Sequence, residues 1–205
     1  MKLNTVRLRV LIGILSIALP WIVAVLYGGI PASISATYYV AQCITPFMGI
    51  LMAASFLLIS YRGYTRHDDI ILTLAGICGL LICFCPCAAT TEAFVGTFML
   101  PLALSATIHN LAAVVFFILL AYNSFFLFTK SDGEMTKKKK IRNIIYRICG
   151  IGMLASFAIL LLPAFRIQVW LTEMFALSFF GLSFLTKADA FKILFCDTRF
   201  DEGDD

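Results

Sequence analysis

The sequence predicts an all-α membrane protein, a bundle of six transmembrane helices with both termini on the cytoplasmic side. Three observations carry this. First, 61% of the 205 residues are hydrophobic and 14% are charged, with mean hydropathy +0.95; a soluble domain of this length carries about a quarter charged residues and could not bury so much apolar surface. Second, the apolar residues fall into six continuous runs near the 20 or so residues that a spanning helix needs, not into the ten-residue alternating segments of a β-barrel. Third, Lys and Arg are confined to alternate inter-run segments: the N-terminus, Tyr61–Asp69, Thr129–Arg147 and the tail hold all of them except Arg166. The positive-inside rule puts those segments in the cytoplasm.

The first span covers residues 10–27, behind Lys2, Arg7 and Arg9. A basic start before an apolar run also describes a signal peptide, but this run is long for one and no small-x-small cleavage site follows, so it reads as a retained span. Pro20 inside it is tolerated in a membrane helix. Gly28–Tyr39 is a loop by its glycines, Pro31 and hydroxyl residues, and Tyr38 and Tyr39 suit a membrane interface. Spans follow at 40–60 and 70–87, separated by Tyr61–Asp69. There Arg62 and Arg66 fix orientation, Gly63 turns the chain, and Asp68 or Asp69 caps the next helix.

Ala88–Leu104 mixes Thr90, Thr91, Glu92, Gly96 and Pro101 with apolar residues and reads as an outer loop holding a short surface helix. The fourth span is 105–128. Thr129–Arg147 follows as a hydrophilic loop whose Lys137, Lys138, Lys139 and Lys140 would meet anionic lipid headgroups, at about 1 kcal/mol each. A nucleic-acid partner is not indicated. The fifth span is 148–164, Pro163–Gln168 is a tight turn, and the sixth span is 169–186. Residues 1–196 thus form one transmembrane domain, and 197–205 a short acidic tail without a structural pattern. No internal repeat relates the two halves.

Ionisable groups inside a span cost roughly 2.5–3.5 kcal/mol at mid-membrane, so the few present are the candidates for function. Small and polar residues recur at helical spacing in four spans: Gln42, Thr45, Gly49 and Ser60; Asp69, Thr73, Gly76, Cys83 and Cys87; Ser105, His109, Ala112, Phe116 and Asn123; Glu173, Ala176, Phe180, Ser183 and Lys187. Helix packing in lipid explains such stripes without any site. By depth the ionisable groups form an outer layer (Glu92, His109, Arg166, Glu173) and an inner layer that includes Asp69 and Lys187. Glu173 and Lys187 are fourteen residues apart, about 21 Å along a helix, too far to pair. Asp69 is expected to pair with an Arg or with Lys187.

His109 and Glu173 are the preferred site, each near the start of an inward-running helix. Such a pair in a low-dielectric pocket can hold a polar ligand, relay a proton or contribute to a metal site. Cys83, Cys85 and Cys87 lack the spacing of a redox CxxC or a zinc knuckle and read as packing residues. No GxSxG, HExxH or P-loop motif is present, and no cofactor is implied.

The combination SISATYY, SYRGYTRHDD leading into LAGICGL, a lone His before AAVVFF, RNIIYRICG and EMFALSFFGLSFLTK resembles a family of six-span bacterial membrane proteins. That family brings no established chemistry. The resemblance covers most of the chain and implies that Ser35, Tyr39, Arg62, Gly63, Asp69, His109, Glu173 and Lys187 are the positions to test. Zinc hydrolases of the ceramidase and adiponectin-receptor type use several His residues around the metal, whereas this chain has only His67 and His109, placed by the topology on opposite membrane sides. The functional expectation is a membrane protein that binds or moves a lipid or small solute through an outward-facing pocket at His109 and Glu173. The alternatives are a lipid-modifying enzyme using the same residues and a non-catalytic scaffold.

Overall fold

The computed structural model describes residues 5–130, 136–159 and 169–189. Among them six helices are long and apolar enough to cross a membrane: α1 (Thr5–Tyr27), α2 (Ala41–Ser60), α3 (Arg66–Phe84), α4 (Leu102–Tyr122), α5 (Lys137–Ala158) and α6 (Val169–Lys187). The protein is an all-α helix bundle of the integral membrane class. Arg166, the expected turn at 163–168, the last residues of the expected fifth span and the acidic tail lie outside the described residues.

Helix boundaries depart from the apolar runs where caps, not hydropathy, decide them. α3 starts four residues early because Thr65 and Asp68 form a capping box, the Thr65 side chain accepting from the Asp68 amide and the Asp68 side chain reaching back. It also ends early, with Cys85 in extended backbone before Pro86, as the residue before a proline disfavours the helical region. α5 begins eleven residues before the expected fifth span, because Thr136 caps it by accepting from the Lys139 amide. The lysine run is therefore its first turn and not a loop. Lysine is a good helix former, and that outweighs the unfavourable dipole at this end. The stretch between α3 and α4 contains no surface helix. It folds as a hairpin, β1 (Phe94–Val95) against β2 (Leu100–Pro101), turning on Gly96 and Met99 at positive φ.

The helices form a closed ring in which each packs on its neighbours in the chain and α6 closes on α1. Small residues set the crossings, as expected without a hydrophobic drive between helices. Where α1 meets α6, a Cβ on Gly13 would lie 2.9 Å from the Gly181 carbonyl and one on Gly181 2.6 Å from that of Gly13. Where α2 meets α3, a Cβ on Gly76 would lie 2.6 Å from the Ser55 carbonyl.

Two of the four expected stripes face the interior as read. Along α4, Ser105, His109, Ala112, Phe116 and, in the π-helical turn that ends it, Asn123 are buried; along α6, so are Ala176, Phe180, Ser183 and Lys187. The other two require correction. In α2, Gln42, Thr45, Gly49 and Ser60 are exposed, and the interior takes Cys43, Phe47, Leu51, Ala54, Ser55 and Leu58. In α3, Gly76 and Cys83 are buried as expected, but Asp69, Thr73 and Cys87 are only partly so, and the rest of the buried face is Asp68, Leu72, Ala75, Gly79 and Ile82. Polarity misled in both because Gln42, Thr45, Ser60 and Asp69 sit near helix ends, where water or headgroups satisfy them on any face.

Candidate functional site

α4 carries His109 inward, buried to 4% exposure, and the early stop of α3 gives it a partner. Pro86 breaks α3, so the Cys85 carbonyl has no successor amide in the helix. His109 Nδ1 donates to that carbonyl at 2.9 Å, and one turn earlier Ser105 Oγ donates to the Pro86 carbonyl at 2.9 Å. A carbonyl only accepts, so the bond fixes the proton of the neutral ring on Nδ1 and leaves Nε2 as an acceptor.

Glu173, in the second turn of α6, is held by the loop between α1 and α2. Its Oε2 accepts from the Ile34 amide at 2.5 Å and its Oε1 from Ser35 Oγ at 3.0 Å. It thus ties down the 3-10 turn Ser35–Tyr39. The Trp170 amide donates to the Ala32 carbonyl at 3.2 Å, and Tyr39 Oη donates to the Cys87 carbonyl at 2.7 Å. Burial, with the Cys87 thiol and Tyr38 beside it, pushes the Tyr39 phenol up to about 12, so it remains a donor at neutral pH.

His109 and Glu173 both line a cavity of about 490 Å³ at this end of the ring. Every helix contributes to its wall, through Leu19, Phe47, Ile82, His109, Phe157 and Glu173 in chain order. The two side chains face one space, yet no hydrogen bond or ion pair joins them. Their bonds go instead to Cys85, Ile34 and Ser35. The wall is mainly apolar, and among the described residues no Lys or Arg lines it. Nor, among those residues, do three of His, Cys, Asp and Glu gather into a set able to hold a metal ion.

The floor is aromatic. Phe116 lines the cavity and meets Phe180 edge-on, with centroids 6.1 Å apart; Phe180 meets Phe184 at 5.0 Å, and Phe184 meets Phe128 at 5.0 Å. This buried stack runs from the cavity to the basic end of the bundle.

At that basic end Lys187 is 9% exposed. Its Nζ donates to the Phe128 carbonyl at 3.2 Å and lies 4.9 Å from the Tyr64 ring centre, 5.2 Å from Phe128 and 5.8 Å from Tyr146. Cation–π attraction and a carbonyl therefore hold it, not an acid. Of the two partners expected for Asp69, an Arg or Lys187, the structure gives the Arg. Asp69 bonds Arg62 at 3.3 Å and the Gly63 amide at 2.7 Å near the surface, while the buried acid is Asp68, paired with Lys130 at 2.6 Å. Gly63 is required there, because a Cβ would sit 2.3 Å from that of Asp68. Arg9 donates to Tyr61 Oη at 2.9 Å. Burial raises the Tyr61 phenol above its ordinary value, an effect Arg9 partly offsets.

Of the residues assigned to the outer layer, the structure thus brings His109 and Glu173 to one cavity. Glu92 is exposed before the hairpin and does not reach it. Of the four lysines, Lys139 turns inward and donates to the Phe128 and Lys130 carbonyls at 3.2 and 2.8 Å, whereas Lys137 and Lys140 are exposed. Sequence reasoning missed the loop around Ile34 as the partner of Glu173 and the stacked floor; Asn123, read on the inner stripe of α4, is buried with no protein partner for its amide. The spacing Thr65-x-x-Asp68 did carry a signal, that of a capping box. Comparison of the chain with protein-family models, curated proteins and solved structures finds no match.

Proposed function

We propose that this protein binds an amphiphilic molecule, a single-chain lipid or small apolar solute with a polar head, in the cavity between His109 and Glu173. The observation that carries this reading is the cavity itself. Its volume of about 490 Å³ lies within the range of roughly 300–1,000 Å³ of small-molecule sites, which are likewise mostly apolar with a few convergent polar groups. A scaffold needs no such space. A metal-dependent lipid-modifying enzyme finds less support, as His109 and Glu173 are not bonded to each other and, among the described residues, no set of three ligands able to hold a metal forms. Transport finds less support as well, since the Phe116–Phe180–Phe184–Phe128 stack occupies the route toward Lys187.

The distribution of Lys and Arg supports a topology with both termini cytoplasmic, which makes the cavity end the outer one. The resemblance to six-span bacterial proteins supports the inner membrane as its location.

Native mass spectrometry of protein extracted in mild detergent tests the binding reading. Ala113 and Leu177 line the cavity, so Ala113→Trp and Leu177→Trp fill it. A co-purified amphiphile should be present on the parent protein and absent from both variants, with elution profiles unchanged. Equal occupancy in parent and filled variants would sink the proposal.

A further inference from the structure

We infer that the polar head of the cavity's ligand is a primary ammonium group on an apolar chain. This rests on the binding reading above and goes on to name the ligand's chemistry. The argument is one of charge complementarity. Glu173 puts a carboxyl group on the cavity wall and receives the Ile34 amide on Oε2 and the Ser35 hydroxyl on Oε1, with the Ser35 amide also turned toward it. A carboxylate offers about four acceptor positions, so about one remains for a ligand. Among the described residues no cation shares that wall: its other polar side chains, Ser33, Ser35, Cys87, His109 and Asn110, bring no fixed positive charge. Charges away from water are ordinarily paired. Among the described basic side chains, Lys187 bonds the Phe128 carbonyl and Lys130 bonds Asp68 at the far end; Arg166 lies outside the described residues.

His109 adds to the same demand. With Nδ1–H engaged by the Cys85 carbonyl, the neutral ring contributes an acceptor. An acceptor-rich, acid-bearing end on an otherwise apolar cavity selects a head that donates several hydrogen bonds and carries positive charge, as an ammonium group with three N–H donors does. It disfavours a fatty acid or a phosphate without an ammonium group, which would bring only like charge against Glu173. The apolar wall down to Phe116 takes the chain.

The test uses the full chain in nanodiscs of phosphatidylcholine, with three probes of equal chain length: hexadecylamine, hexadecanol and palmitate. Hexadecylamine should bind at least about tenfold more tightly than either of the others. Glu173→Gln should bring the amine to the level of the alcohol while leaving the alcohol unchanged. Ser35→Ala, which loosens the same loop but keeps the acid, should retain the preference. Palmitate or hexadecanol binding as tightly as the amine would overturn the inference and leave the cavity reading standing, as would a preference that survives Glu173→Gln or vanishes equally in Ser35→Ala. Binding of every probe undiminished by Ala113→Trp would overturn the cavity reading and this inference with it. Adding phosphatidylethanolamine to the discs distinguishes the two sources of the head: competition marks the lipid headgroup, and its absence marks a free single-chain amine.

Discussion

The tie between Ser35 and Glu173 closes one wall of the cavity, and its strength can be worked out and measured. Ser35→Ala removes one donor from Oε1, 3.0 Å away. Glu173→Ala removes that bond and the Ile34 bond together, but it also relieves the desolvation of a carboxyl group, so its net sign alone decides nothing. A double-mutant cycle cancels the single-site terms and leaves the pair. Hydrogen bonds measured this way in a bilayer protein average about 0.6 kcal/mol and reach about 1.7, whereas bonds to a charged acceptor in proteins at large are worth about 1.5–3. Glu173 is half-buried on α6 and its partner sits on a loop anchored by the Trp170–Ala32 and Tyr39–Cys87 bonds. Little further ordering entropy therefore opposes the bond. The upper part of the bilayer range applies, and we expect a coupling of about 1–2 kcal/mol. Unfolding of the parent, both single variants and the double variant in mixed micelles of rising dodecyl sulfate content supplies the four free energies. A coupling below about 0.3 kcal/mol, within the additivity of independent sites, would refute the claim that this bond holds the loop to α6.

The same unfolding assay checks two further expectations. Gly13→Leu and Gly181→Leu should each destabilise by about 1–3 kcal/mol through overpacking at the α1–α6 crossing, while Gly49→Ala, with open space around its Cβ, should stay within about 0.5 kcal/mol of the parent. Asp68→Asn should cost about 2 kcal/mol, since it weakens the helix cap and leaves Lys130 without its anion, whereas Asp69→Asn loses a surface pair with Arg62 worth less than about 1 kcal/mol; equal effects would contradict the assignment of Asp68 as the structural acid. For topology, a membrane-impermeant maleimide applied to intact cells should label Ser35→Cys and spare Lys140→Cys in a background free of the native cysteines. The reverse pattern would invert the proposed orientation.

What could be read from the sequence divides along physical lines. Six spans were legible because a bilayer admits few alternatives to a long apolar helix. The inner faces of α4 and α6 were legible because their small and polar residues, from Ser105 to Asn123 and from Glu173 to Lys187, recur at helical spacing along the whole span. The faces of α2 and α3 were not, because Gln42, Thr45 and Asp69 lie where water or headgroups reach. His109 and Glu173 were found as costly groups, yet their partners could not be. The Cys85 carbonyl becomes available only because Pro86 ends α3 short, and the Ile34 amide only because the loop after α1 folds back over α6. Both partners are backbone atoms, which leave no residue-type signal.

Two separate polar systems sit at opposite ends of this bundle, and the difference between them bears on function. At the basic end the buried charges are answered from within the chain. Lys130 meets Asp68, Lys187 meets three aromatic rings and a carbonyl, and Arg9 meets Tyr61. Together these tie α1, α3 and α6 to the segments after α2 and α4, and they leave a space of only about 10 Å³, room for one water molecule. At the other end the acid is answered only by neutral donors of Ile34 and Ser35 and stands on a space some fifty times larger. A structural role favours complete internal satisfaction, because an incompletely paired buried group costs stability. The incomplete pairing at Glu173 stands next to open volume, whereas the unpartnered Asn123 amide faces only the small space at the basic end. With the stacked rings of Phe116, Phe180 and Phe184 between the two systems, a ligand drawn to Glu173 has a floor beneath it, and occupancy of the cavity is a binding event at one face of the membrane.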